Sequence, residues 1–150
     1  MNKKNKSIEF VKFFKKYILT LSNVIDKNNL DKLYEAANLI SNTIKKKNFI
    51  YVCGNGGSAA IANHYICDYF KGLSKYTNLK AKIKSLNSDS YLISAISNDI
   101  SYDDIFLYQA ERLLSSGDLL ILFSSSGNSN NLKKVLQYAN QKKIKSIGFS

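Results

Sequence analysis

The chain has 150 residues and a mass of 16.9 kDa, of which 45% are hydrophobic and 22% charged, a balance that gives one domain a core of its own and excludes disorder. Seven Gly and no Pro exclude a collagen-like chain, and no apolar run approaches the ~20 residues of a membrane span. The net charge of +11 would point to nucleic acid, but Arg112 is the single arginine among the 22 basic residues, and arginine is the side chain whose planar fork reads phosphates and bases.

The start, MNKKNK, is basic, but the following stretch is broken by charges and has no small-residue cleavage site, so it does not read as a signal peptide. A cytoplasmic protein with Cys53 and Cys67 reduced is the expectation. Residues 8–26 place Phe10, Phe13, Phe14, Tyr17, Ile18, Leu21, Val24 and Ile25 at helical spacing. After a turn at Asn28-Asn29, Leu30, Leu33, Tyr34, Ala37, Ile40 and Ile44 repeat the pattern. Residues 1–47 are thus a helical pair, with 48–150 as an α/β core. The broad aromatic stripes of the pair are wide enough to face both a sheet and a partner subunit.

Phe49 to Cys53 form an unalternated apolar strand, followed by the turn Gly54-Asn55-Gly56-Gly57-Ser58 and a helix to about Lys71, the mark of a buried parallel strand. Residues 81–86 alternate, which suits a strand nearer an edge. A short helix over about 90–97, a bend at Asn98-Asp99 and a helix over about 102–115 come next, the last opened by a capping box of Ser101 with Asp104. Leu119 to Phe123 are a second buried strand, followed by Ser124-Ser125-Ser126-Gly127-Asn128-Ser129. A helix with Leu132, Val135, Leu136 and Ala139 on one face and a strand over 145–149 complete the pattern. Strand–turn–helix units without hairpin signals predict an α/β fold, a three-layer sandwich with helices on both faces of a parallel sheet.

In such a sheet, ligands bind beyond the carboxyl ends of the strands. The glycine loop bares backbone N–H groups at a helix start, and the serine loop adds hydroxyls and an amide at another, a combination suited to the phosphate of a sugar phosphate. Either loop alone reads as a turn and a helix cap; both together, each after a buried strand, favour a ligand. The looser G-x-G-x-x-A pattern is present at Gly54, Gly56 and Ala59, but nothing between Tyr69 and Ser88 is acidic, which argues against a dinucleotide. The helix over 59–71 is apolar almost all round, which predicts burial, yet His64, Asp68 and Lys71 share a stripe. His64, the only histidine, and Asp68 one turn on could be half of a divalent metal site, a proton-transfer pair, or a plain helix ion pair.

The segments CGNGGSAAIANHYICDYFKG, SNDISYDDIF and SSSGNSNNLKKVLQYANQKKIKSIGFS resemble the sugar isomerase (SIS) domain family and, within it, the phosphoheptose isomerases. The resemblance implies a flavodoxin-like sheet and a homotetramer that interconverts ketose and aldose phosphates for lipopolysaccharide or capsule heptose. It also implies that Asn55, Gly56 and Gly57 meet the sugar with Ser58 beside it at the helix start, that Asn98 and Asp99 bind the substrate chain, and that Ser124, Ser125, Ser126 and Ser129 hold the phosphate. His64 matches a zinc ligand, and Asp68 stands where the family has a glutamate that is both ligand and acid/base, one methylene longer. The family continues past position 150 with a strand and a long helix that bring a glutamine and a histidine to the site, so the 150 residues are read as an isomerase chain cut short. Two rivals stand beside the enzyme: a non-catalytic SIS sensor or adaptor that lacks the acid/base set, and a nucleic-acid binder by charge alone.

Overall fold

The structure, a computed structural model, describes residues 3–24 and 27–150. They form α1 (Lys3–Val24), α2 (Lys27–Lys45), β1 (Phe49–Gly54), α3 (Gly57–Cys67), a π-helical segment (Asp68–Leu73) running into a last turn at Ser74–Tyr76, β2 (Lys82–Ser85), α4 (Ser90–Asp99), a 3₁₀ turn (Tyr102–Asp104), α5 (Leu107–Leu113), β3 (Leu119–Phe123), α6 (Asn130–Gln141) and β4 (Lys145–Phe149). Two compact units divide between Ala37 and Asn38, inside α2. In the first unit α1 exposes its apolar face, with Phe10, Phe13, Phe14 and Tyr17 all more than half accessible. The second helix begins at Lys27, ahead of the expected Asn28-Asn29 turn; asparagine is tolerated in a first turn, where amides lack intrahelical partners. Position 25, assigned above to the first stripe, lies outside the described residues.

The second unit is built on a four-stranded, wholly parallel sheet of order β2-β1-β3-β4. All five residues of β3 are buried, as a central strand covered on both faces requires, whereas β2 alternates exposed Lys82 and Lys84 with buried Ile83 and Ser85, as expected of an edge. Tyr51, Cys53, Leu120 and Leu122 point to one face, where they meet Ile105, Phe106 and Ala110 around α5 and Leu132, Val135 and Ala139 of α6. On the other face α3 packs across β1, β2 and β3. Among the described residues no helix is long and apolar enough to cross a membrane.

Three local expectations are corrected. The helix opening at Ser101 is a 3₁₀ turn before α5, and its box does not close: Ser101 Oγ accepts the Asp103 N–H at 3.0 Å, while the Asp104 carboxylate takes Lys134 Nζ at 2.8 Å. A lysine across the helix gap offers Asp104 a charge-assisted bond that a backbone amide does not match. The α4 helix runs through Asn98 and Asp99 and bends only at Ile100 (φ −124°, ψ −81°). Finally, α3 is not buried all round: Ala62 is its only buried residue and Ile61 is 54% exposed, because only one face of a helix can meet a flat sheet.

Both α2 and α6 close with a pair of backbone bonds around a left-handed lysine. Lys143 has φ 56°, its N–H reaches Asn140 O at 3.0 Å, and Ile144 N–H reaches Ala139 O at 2.8 Å. A side chain in that conformation costs about 1–2 kcal/mol, and glycine avoids it at some cost in unfolded-chain entropy. Lys143→Gly is therefore expected to stabilise the fold by about 0.5–1 kcal/mol, raising the melting temperature by roughly 2–3 °C. A lowered melting temperature in calorimetry would contradict this account of the α6 terminus.

Candidate active site

The glycine loop leaves β1 at Gly54, whose backbone is gripped on both sides by one amide. Gly54 N–H donates to Asn87 Oδ1 at 3.0 Å, and Asn87 Nδ2 donates to Gly54 O at 2.9 Å. A Cβ at Gly54 would lie 2.8 Å from Ser58 C, O and Cβ, so the strand and the first turn of α3 meet here closer than any side chain allows. Gly56 turns the chain at φ 53°, ψ −121°, a region closed to L-residues with side chains. The hydrogen bonds of the turn begin at Ser58 N–H, which reaches Asn55 O at 2.9 Å; this is the α3 N-terminus, where the helix dipole favours an anion.

Asn55 joins this loop to the next one. Its Nδ2 donates to Asn131 Oδ1 at 2.9 Å, and Asn131 Nδ2 returns the bond to Asn55 Oδ1 at 2.9 Å. Tyr102 Oη adds a bond to Asn55 Oδ1 at 3.1 Å, bringing the segment after α4 to the same edge. Asn131 is 1% exposed, so its polar groups need these partners, and Leu132 N–H supplies one more. The Asn55 side chain is thus committed to holding two loops and the 3₁₀ turn together. Asn87, Tyr102 and Asn131 were missed in the sequence: Asn131 reads there as one more polar residue of a helix start, and only its burial reveals its role.

The serine loop follows β3. Ser124 N–H extends the ladder to Phe149 O at 2.9 Å, and Gly127 (φ 62°) closes a turn back to Ser124 O at 3.2 Å. Ser126 Oγ accepts Asn128 N–H at 3.2 Å, whereas Ser129, at the cap position of α6, makes no side-chain capping bond. Its hydroxyl is therefore free to meet a ligand. Ser125, Ser126 and Asn128 are exposed, Ser124 and Ser129 half-buried. A cavity of about 210 Å³ beside the loop is lined by Ser124, Gly127, Ser129 and Lys133 above an apolar floor. Lys133 Nζ bonds Asn128 Oδ1, so a cation that the sequence did not single out stands at this loop.

His64 and Asp68 do come together, with Nε2 and Oδ1 3.6 Å apart and both side chains largely exposed. Lys71 leaves the stripe: the chain widens into a π-helix at Asp68, and the longer turn rotates later residues away from the α-helical register. Asn98 and Asp99 are exposed at the end of α4, where Asn98 Nδ2 bonds Asp99 Oδ1 at 2.8 Å. Tyr65, next to His64, rests its ring 5.8 Å from that of Phe123 at the end of β3 and bonds Tyr69 Oη at 2.9 Å, and its burial pushes the phenol pKa up. Burial likewise raises the Cys53 thiol and keeps it neutral, while Cys67 is exposed and free. His64 and Asp68 supply two donors of types a zinc ion accepts, but no group of three or more His, Cys, Asp or Glu is assembled among the described residues.

The SIS domain profile matches residues 12–150. The chain belongs to the SIS domain family. Within it, the chain is 37% identical over 140 residues to the phosphoheptose isomerase of Aliarcobacter butzleri, covering 93% of this chain and 73% of that one. It is 35% identical to the phosphoheptose isomerase of Campylobacter concisus, over 82% of this chain and 65% of that one. The solved phosphoheptose isomerase of Neisseria gonorrhoeae superposes with a TM-score of 0.78 at 28% identity, over 93% of this chain and 73% of that one. The SIS domain described here therefore spans about two-thirds to three-quarters of the length of these relatives.

Proposed function

We propose that the protein is an aldose–ketose isomerase that interconverts sedoheptulose 7-phosphate and D-glycero-D-manno-heptose 7-phosphate, in the cytoplasm, for lipopolysaccharide or capsule heptose. One observation carries the reading: the Asn55–Asn131 pair locks the glycine loop after β1 to the first turn of α6, the helix that the serine loop after β3 leads into, in a chain whose relatives are named phosphoheptose isomerases. The serines hold the phosphate, and the loop amides with Asn98 and Asp99 hold the sugar. Asp68 removes the proton from the carbon next to the carbonyl, the electron pair moves to give a cis-enediolate, and a proton returned to the neighbouring carbon completes the exchange. His64 and Asp68 are the residues that would ligate a zinc ion, which when bound polarises the substrate oxygens. The assembly proposed is a homotetramer.

Incubation with sedoheptulose 7-phosphate in deuterated water tests the reaction: aldose phosphate should form and carry deuterium at the exchanged carbon. Binding without product or exchange would replace the enzyme by a sugar-phosphate sensor or adaptor. The phosphate assignment has its own test. Sedoheptulose 7-phosphate is expected to bind more tightly than sedoheptulose, and Ser126→Ala with Ser129→Ala to cost roughly 10- to 150-fold per hydroxyl, since bonds to a charged group are worth about 1.5–3 kcal/mol. Equal affinities for the two sugars in calorimetry would remove the serine loop from phosphate binding.

A further inference from the structure

A second cavity, of about 420 Å³, opens away from the two loops and is lined by Ile44, Lys45, Lys47, Asn78, Leu79, Lys80, Ala81 and Lys82. It lies at the amino ends of the strands, where Phe49 of β1 pairs in register with Lys82 of β2, the sheet edge opposite to the one both loops leave. Half of its wall is lysine and none is acidic, and among the described residues no carboxylate pairs with any of the four ammonium groups. Helix ends attract lysines, and Lys45 stands in the last turn of α2, but Lys47 lies beyond the helix, where the terminal carbonyls of Thr43 and Ile44 are already taken. The α2 terminus satisfies itself, with Lys47 N–H on Ile44 O at 3.0 Å and Asn48 N–H on Thr43 O at 3.1 Å. Lys82 Nζ stands over the face of Phe49, 5.4 Å from the ring centroid.

Like charges gathered around one concavity repel one another and focus a positive field into it, and a multivalent anion relieves that repulsion where single chloride ions do not. Ile44, Leu79 and Ala81 give the cavity an apolar floor, and its volume lies within the range of small-molecule sites, larger than a lone phosphate needs. We propose that this cavity is a second anion site that takes a small molecule bearing a diphosphate or triphosphate group, separate from the sugar-phosphate site. The lysines neutralise the phosphates and the apolar floor takes whatever the phosphates are attached to.

The test is a titration of isotope-labelled protein with inorganic pyrophosphate and with ADP, followed by amide resonances at about 0.15 M salt, where weak surface attraction is screened. Saturable shifts at Lys47, Leu79, Ala81 and Lys82 are expected for both probes, with ADP tighter if the floor takes the base. Lys80→Gln with Lys82→Gln should weaken binding roughly tenfold or more, while Ser126→Ala leaves these shifts in place. Shifts that do not saturate and spread over lysines across the surface, or that are confined to residues 124–129, would overturn the second site. The serine-loop resonances report the sugar-phosphate site independently, so the two assignments fail separately.

Discussion

Asp68→Asn is expected to lower the isomerisation rate by roughly 10²–10⁴-fold, the usual worth of a positioned acid/base group, while leaving the fold and the melting temperature unchanged. The structural side of that expectation is direct: the Asp68 side chain is 63% exposed, it sits 3.6 Å from His64 Nε2, and it is no part of the hydrophobic core. The amide keeps the size and hydrogen-bonding of the carboxylate but cannot accept the substrate proton. Asp68→Glu restores a carboxylate with a longer reach and is expected to retain most of the rate or exceed it. The pair of variants separates chemistry from position, because a merely structural residue would tolerate Asn better than Glu. A rate for Asp68→Asn within about threefold of the parent would move the proton-transfer role elsewhere.

The second large effect is expected at Gly54. Alanine there would set its Cβ 2.8 Å from backbone and side-chain atoms of Ser58, and backbone cannot swing aside as the tip of a flexible side chain can. The first turn of α3 must move off β1, disturbing the Asn87 bonds to Gly54 and the loop that Asn55 ties to Asn131. Gly54→Ala is expected to cost about 2–3 kcal/mol, a melting temperature lower by roughly 4–10 °C, and to weaken sugar-phosphate binding together with stability. Gly72→Ala is the control: a Cβ there meets nothing within 4 Å, so stability should hold or rise slightly. Equal melting temperatures for Gly54→Ala and the parent would show that the strand–helix approach relaxes without cost.

Much of the architecture was legible in the sequence because it rests on local periodicity. Unalternated runs at Phe49–Cys53 and Leu119–Phe123 announce strands covered on both faces, and the alternation around Lys82–Ser85 announces an edge, since side-chain direction in a strand follows from position alone. The two loops were legible for the same reason: glycine and serine clusters after buried strands mark chain reversals at one sheet edge. What periodicity cannot carry is the partner chosen by a polar group. Asp104 could bond its own turn or Lys134 across space, and only packing decided for the lysine. Asn131 and Asn87 look like ordinary cap and loop residues until packing sets their partners, the buried Asn131 on Asn55 and the half-buried Asn87 on the Gly54 backbone. The π-helical turn at Asp68 depends on which i→i+4 or i→i+5 bonds survive packing, and it alone removes Lys71 from the His64–Asp68 stripe. The sequence by itself determined the order of elements, the parallel sheet and the residues available for chemistry. The tertiary structure decided which of those residues hold the loops together and which remain free for a ligand, because hydrogen-bond partners far apart in the chain are settled only when desolvation forces every buried polar group to find one.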